Sequence, residues 1–300
     1  MAKAVFTTKA SPTYDDLPED RYHFPDTYRR QVEATIGDWI VYYEPRRTSG
    51  DLSSRGGRQA YFAIARVDNV EPDPKRPNHF YAFVSQFLPF DRPVRFQEGE
   101  RYFETRLQRP DGGTSKGAFG RAVRPVTDTE FDRIVQAGFR AVLGEAVSKL
   151  DTQVPGGFSD DPSLSDRPIV ERLIARPFRE AAFAAVVKNA YDSTCAMTGL
   201  KILNGGGRSE VQAAHVRPVA DRGPDSVRNG IALCGTVHWM FDRGLISVAD
   251  DHSVLIARNR VPDQMLKLLL PDRRLRVPAR SDLCPHPTFL RYHRERVFKG

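Results

Sequence analysis

Long hydrophobic runs are missing from this 300-residue chain. No apolar stretch approaches the roughly 18–20 residues of a membrane-spanning helix, so no membrane partner is expected. The opening residues, MAKAVFTTKASPTYDD, contain no apolar signal-peptide core, which sets the expectation of a soluble, cytoplasmic protein. Cysteine is scarce. Cys195, Cys234 and Cys284 cannot all pair and form no CxxC, which argues against a disulfide framework and for buried thiols in a reducing compartment. Internal repeats and low-complexity tracts are absent as well.

What is present describes a folding, basic protein. Aromatic residues make up 10% of the chain, far from the aromatic-poor composition of disordered segments. The formal charge of +7 favours a polyanionic partner without proving one. The length exceeds one ordinary domain, so two are expected.

Residues 21–124 read as short strands. Trp39 to Glu44 (WIVYYE), Ala60 to Val67, Phe80 to Phe87 and Pro93 to Phe96 are β-branched or aromatic runs separated by Gly, Pro and Asp clusters. Strands this short and close together imply a small barrel or strongly bent sheet. The period changes at Thr127, where Thr127 and Glu130 form a capping box ahead of Phe131, Ile134, Val135, Phe139 and Val142 at helical spacing. Gln153 to Pro168 is rich in Pro, Gly, Ser and Asp and reads as a linker. Two helices are expected from Ile169 to Ala190, meeting at Pro177, the second with Phe178, Ala182, Ala185 and Val186 on its apolar face. The expected organisation is α+β: a domain over 1–150, a linker over 151–168 and a second domain over 169–300.

The most informative segment is EVQAAHVRPVADRGPDSVRNGIALCGTVHWMFDRGLI. It reads as a strand from Val211 to Val216 carrying His215, a Gly/Pro/Asp loop, a return strand from Gly230 to Cys234, and a short helix. That helix is expected to be capped by Thr236 and closed by Gly244. His238 and Asp242 stand four apart, on one helical face, as a chelating pair would. Histidine is the side chain suited to deprotonating a water near neutral pH, and a divalent cation stabilises charge growing on a phosphate. Asn229, at a loop-to-strand junction, can hydrogen-bond backbone on both sides. Any one of these residues alone would more often be structural.

Taken together, in order, they resemble the HNH family of ββα-metal nucleases. The elements are Cys195, Thr198 and Gly199, then Ala213-Ala214-His215 with Pro218, Asn229-Gly230-Ile231 with Leu233-Cys234, His238, and Phe241-Asp242-Arg243-Gly244. The resemblance covers about the last third of the chain. It implies that His215 is the general base, Asn229 an orienting residue and His238 a metal ligand, with Asp242 in the place of a second helix ligand. Many relatives carry Asp or His just before the base, where this chain has Ala214. Two protein ligands completed by water and phosphate oxygens suit Mg²⁺ or Mn²⁺ better than zinc. Cys195 and Cys234 lack the paired spacing of a structural zinc site. Arg217, Arg222, Arg228 and Arg243 are candidates for contacts to the DNA backbone.

The run RYHFP…Y…GDWIVYYEPRR…GRQAYFAIARV resembles the PUA-superfamily domain, of the EVE and ASCH groups, found ahead of HNH modules in modification-dependent restriction endonucleases. The resemblance implies a β-barrel with flanking helices that reads 5-methyl- or 5-hydroxymethylcytosine in double-stranded DNA. Such a reader extrudes the base, holds it between aromatic faces and reads its edge with polar groups. Tyr22, Phe24, Trp39 and Tyr43 are the candidates for stacking, and His23, Glu44 and Ser85 for polar contacts. For most of these aromatics, filling the core of a small β-domain is the better reading, and one or two are left to line a pocket. The basic loops 50–58 and 111–121 and the basic helix expected at Leu290 to Val297 could follow a phosphate backbone. One HNH site cuts one strand, so a homodimer is compatible with double-strand cutting. Two other readings stay open: a nucleic-acid-binding module whose HNH half is degenerate, and a weakly selective HNH nickase.

Overall fold

The structure, a computed structural model, describes residues 2–9, 14–49, 51, 53–140 and 176–300, with side chains from 179 onward in the last segment. The expected linker and the helix before Arg176 lie outside these residues. The chain divides into two compact units, Met1–Phe178 and Arg179–Gly300, and it is mixed α+β. Among the described residues no helix is long and apolar enough to cross a membrane.

The first unit is built on one six-stranded sheet. Its strands are β1 (Lys3–Thr7), β2 (Arg21–Pro25), β3 (Trp39–Glu44), β4 (Ala60–Pro72), β5 (His79–Arg95) and β8 (Val123–Val126), in the order β2-β5-β4-β3-β1-β8. A small hairpin, β6 (Gln97–Glu98) and β7 (Arg101–Tyr102), follows β5. β1 runs parallel to β3 and antiparallel to β8. Register shifts punctuate the long β4–β5 pairing. Bulges of this kind increase twist and bend a ribbon, and the sheet is curled into a half-barrel. β2 and β8 are its two ends, so the described residues do not close the barrel expected from the sequence. Tyrosines span part of the gap instead. The Tyr22 hydroxyl donates to the Thr7 carbonyl at 3.3 Å, and the Ala122 N–H donates to the Tyr28 hydroxyl at 3.2 Å.

The concave core holds Phe6, Phe24, Ile40, Tyr42, Ala63, Ala65 and Val67, all fully buried. Burying each large apolar side chain contributes roughly 1.5–3 kcal/mol. Helices α1 (Arg29–Glu33), α2 (Lys116–Phe119) and α3 (Asp128–Gly138) flank the sheet. The capping box expected at α3 is formed, with Glu130 N–H donating to Thr127 Oγ1 and Thr127 N–H to Glu130 Oε2. A fully buried ion pair lies at the β8 end of the sheet. Arg124 grips Glu104 through Nε and Nη2 at 2.7 and 2.9 Å, and Tyr61 donates to the same carboxylate at 2.7 Å. These extra hydrogen bonds make such a desolvated pair tolerable.

In the second unit, α4 (Arg176–Ala190) has Pro177 in its first turn, where proline is accepted. Its buried stripe is Phe183, Val187 and Tyr191 with Ala182, while Ala185 is exposed. Of the expected face, Ala182 is buried, Val186 half-buried and Ala185 exposed, and the Phe178 side chain lies outside the described residues. Gly230 explains the buried stripe: a Cβ there would sit 2.4 Å from Val187 and 3.1 Å from Phe183, so its absence lets α4 close onto the next strand. That strand, β10 (Gly230–Leu233), pairs antiparallel with β9 (Gln212–His215), bringing His215 opposite Gly230. Helix α5 (Gly235–Asp242) follows directly, and Gly244, at φ +69°, terminates it as the sequence implied. The hairpin β11 (Ile246–Val248) with β12 (Val254–Ile256), the short α6 (Asp263–Leu266) and the terminal α7 (Pro287–Arg296) complete the unit. A Cβ on Gly244 would meet the Val297 carbonyl at 2.0 Å, so glycine also admits the segment after α7.

Candidate nuclease site

Two of the residues singled out by the sequence, His215 and Asn229, flank the loop between β9 and β10. His215 ends β9 with its side chain 19% exposed, and its ring stacks on Phe183 at 3.8 Å and 14°. Its Nε2 donates to Asp225 Oδ1 at 2.9 Å. Asp225 is buried and also accepts from Arg179 Nε at 2.8 Å through its other oxygen. Burial alone would raise the Asp225 pKa, but the hydrogen bonds from His215 and Arg179 outweigh it and hold the group below the ordinary carboxylate value.

Asn229 is fully buried. Its Oδ1 accepts from the Arg217 N–H at 2.8 Å, and Nδ2 donates to the carbonyls of Arg217 and Pro224 at 3.0 and 2.9 Å. This is the two-sided backbone contact that the sequence position suggested. Gly223 completes the turn, since a Cβ there would lie 1.8 Å from the Arg217 carbonyl.

His238 and Asp242 share one face of α5, with Nε2 and Oδ2 3.4 Å apart. His238 Nδ1 donates to Gln212 Oε1 at 2.7 Å. A neutral ring then carries its lone pair on Nε2, and two acceptors face each other across 3.4 Å. That arrangement suits a shared cation. Among the described residues no group of three or more His, Cys, Asp or Glu side chains is placed to hold a metal, so these two fit an ion that keeps most of its oxygen ligands from water or phosphate. Ala214 is fully buried, so core packing occupies the strand position where relatives place a further ligand. No hydrogen bond joins His215 to His238 among the described residues.

Helix α5 starts two residues earlier than expected, with Cys234 as N-cap and Thr236 exposed inside the first turn. The Gly235 N–H finds its acceptor in Glu210 Oε1 at 2.9 Å, a carboxylate 25 residues away that local capping rules do not register. Cys195 and Cys234 are buried and hydrogen-bond to each other, consistent with buried thiols. Of the four arginines, Arg222 and Arg243 are exposed. Arg217 stacks over Tyr292 at 5.2 Å and donates to the Asp221 carbonyl, and the Arg228 carbonyl accepts from His286 N–H.

Residues 195–249 match the family described as HNH endonuclease, a span that contains His215, Asn229, His238 and Asp242. This segment is an HNH endonuclease domain. The chain is accordingly a nuclease. Arg179 and Phe183, which position the HNH histidine, lie upstream of the matched span, and Asp225 lies inside it without having drawn attention.

A comparison with curated proteins gives no match. Among solved structures, the chain is similar to the modification-dependent TagI restriction endonuclease at 17% identity and a TM-score of 0.34, covering 98% of this chain and 81% of that one. It is also similar to the N-terminal domain of Staphylothermus marinus McrB, at 13% identity and a TM-score of 0.31, covering 44% and 92%. A third likeness is to the type IV phosphorothioation-dependent restriction endonuclease ScoMcrA, at 16% identity and a TM-score of 0.21, covering 98% and 57%. Likenesses at these scores are too loose to carry a fold or an activity.

The first unit holds a cavity of about 560 Å³, within the roughly 300–1,000 Å³ of ordinary ligand clefts. Tyr14, Tyr22, Tyr28, Tyr43 and Phe119 give it aromatic walls; Lys9, Arg46, Arg47 and Arg121 add positive charge. Tyr22, His23 and Tyr43 of the sequence candidates line it. Four do not. Phe24 is fully buried and stacks on Phe80, and Trp39 belongs to the buried core. Glu44 pairs with Arg58 at 2.7 Å, and Ser85 donates to Asp68 at 2.7 Å. His23 is itself committed, stacked on Tyr81 and 3.1 Å from Asp73. The polar group that the sequence reading missed is Asp16. It accepts from the His23 N–H at 2.8 Å and Thr8 Oγ1 at 3.0 Å, and burial raises its pKa to about 6.

Proposed function

We propose that this chain is a modification-dependent DNA restriction endonuclease, which reads a modified cytosine with its first unit and cuts with its HNH domain. The observation that carries the nuclease half is the family match over residues 195–249, a span that contains His215, Asn229 and His238. In this reading His215 accepts a proton from the attacking water. Asn229 fixes the loop that follows His215. His238 and Asp242 hold a divalent cation of the Mg²⁺ or Mn²⁺ class, which supplies positive charge against the phosphate. Arg217, Arg222, Arg228 and Arg243 contact flanking phosphates.

The reader half is supported by the PUA-like resemblance and by the aromatic cavity with its basic rim. An extruded base would stack among Tyr22, Tyr43 and Phe119 and present an edge to Asp16. A homodimer would bring two single-strand sites to one duplex.

The test is a cleavage panel on 5-methylcytosine, 5-hydroxymethylcytosine and unmodified plasmid with Mg²⁺ or Mn²⁺. Preferential cutting of a modified plasmid is expected. Equal cutting of all three refutes the reader and leaves the nuclease; no cutting with either metal refutes the nuclease assignment.

A further inference from the structure

The environment of His215 is more specific than a base in a solvent-facing site requires. Three side chains fix the ring, and two of them come from a helix outside the family-matched span. Phe183 covers one ring face, stacked at 3.8 Å. Asp225 Oδ1 accepts from Nε2 at 2.9 Å. Arg179 occupies Oδ2 through Nε and Nη2, so both carboxylate oxygens already have protein partners. Asp225 is 2% exposed. A buried carboxylate spent in this way is poorly placed to ligate a cation. Its geometry instead selects one histidine tautomer.

We propose that Asp225 is a positioning residue that holds neutral His215 with its proton on Nε2, leaving the Nδ1 lone pair as the proton acceptor, while Arg179 anchors Asp225. The proposal rests on the reading of His215 as the base. Nδ1 makes no hydrogen bond to protein among the described residues, so it is the nitrogen left for the proton transfer. The carboxylate also stabilises the imidazolium formed once Nδ1 has taken the proton, and Arg179 keeps that carboxylate ionised. No net proton passes to Asp225 in this scheme.

Two substitutions separate this role from mere support. In Asp225→Asn the carboxamide nitrogen can donate to Nε2 and drive the ring proton to Nδ1, presenting the wrong atom with little change of shape. A tautomer reversal of this kind in the serine-protease triad costs about 10⁴-fold in rate. Asp225→Glu restores the acceptor and should recover part of the loss.

The experiment uses the full chain. ¹⁵N-histidine NMR reads the His215 tautomer, assigned by His215→Gln. Single-turnover cleavage at saturating Mg²⁺ or Mn²⁺ reads rate, and DNA affinity in Ca²⁺ reads binding. Expected are an Nε2–H ring in the parent protein, an Nδ1–H ring in Asp225→Asn, a cleavage rate down by 10²- to 10⁴-fold, and a dissociation constant changed less than threefold. An Nδ1–H ring in the parent, or an Asp225→Asn variant that cuts within threefold of it, overturns the proposal. If Asp225→Asn fails to fold, Asp225→Ala supplies the second arm, with loss of the Nε2–H preference expected and an unchanged tautomer refuting. A parent protein that cuts no DNA refutes the nuclease reading, while the tautomer measurement still decides the role of Asp225.

Discussion

The Asn229 carboxamide clasps Arg217 on both sides of its backbone, accepting from the N–H at 2.8 Å and donating to the carbonyl at 3.0 Å. With a third bond to the Pro224 carbonyl, it fixes the turn that begins immediately after His215. Asn229→Ala strips three hydrogen bonds from a fully buried site and leaves their backbone partners unsatisfied. We expect a loss of about 2–4 kcal/mol in the HNH unit. Thermal unfolding checks it: an unchanged midpoint contradicts the clasp, and Asn229→Asp should fall between parent and alanine variant.

Gln212 orients His238 by accepting from Nδ1 at 2.7 Å. Loss of a partner behind a metal-binding histidine typically costs 10- to 100-fold in metal affinity. Gln212→Ala should therefore weaken Mn²⁺ binding by that factor, measured by electron paramagnetic resonance on the intact protein. Unaltered Mn²⁺ affinity would mean that His238 is oriented without Gln212, or binds no cation.

His293 is buried between Ser247 and the Phe241 carbonyl, stacked on the Phe241 ring, and desolvation lowers its pKa to about 4. The unfolded chain, with a histidine near 6.5, takes up a proton first as pH falls. Stability from the neutral ring is thus complete above pH 6.5 and lost on descent toward pH 4, by about 3 kcal/mol in all. His293→Gln should flatten that part of the melting-temperature profile. A parent profile no steeper than the variant's between pH 6.5 and 4.5 contradicts the assignment.

Asp16 behaves oppositely. Its folded pKa of about 6 lies above the unfolded value of 3.8, so the native state holds the extra proton and stability falls as pH rises from about 4 to about 6. Asp16→Asn removes this term and should stabilise the first unit above pH 6 by up to about 3 kcal/mol. The difference between parent and variant melts, followed against pH, isolates the effect. A pH-independent difference would place Asp16 in water rather than in the cavity wall.

Much of the site was legible because its signals are local. The capping box at Thr127, the four-residue spacing that puts His238 and Asp242 on one helical face, the helix-ending Gly244 and the place of Asn229 at a loop-to-strand junction are all read from residues within a few places of one another. Strand β3 was bounded to the residue, yet Pro93 to Phe96 merged into β5 across a stretch containing Pro89 and Pro93, which edge-like or bulged pairing tolerates. Features built by distant residues were not legible. Arg179 and Asp225 are 46 positions apart, and Glu210 supplies a helix-terminal acceptor that displaces Thr236 from the capping role. The cavity joins Asp16 to Phe119, so aromatic density near residues 22–44 marked the neighbourhood but mixed its walls with its core.

The central claim is that His215 is the base of a metal-dependent phosphodiesterase. The most direct measurement is single-turnover cleavage by His215→Ala beside the parent protein, on the best modified duplex with Mg²⁺ or Mn²⁺, with DNA affinity measured in parallel. The cleavage rate of His215→Ala is expected to fall by at least 10²-fold at unchanged affinity. A His215→Ala protein that cuts at the parent rate would contradict the claim.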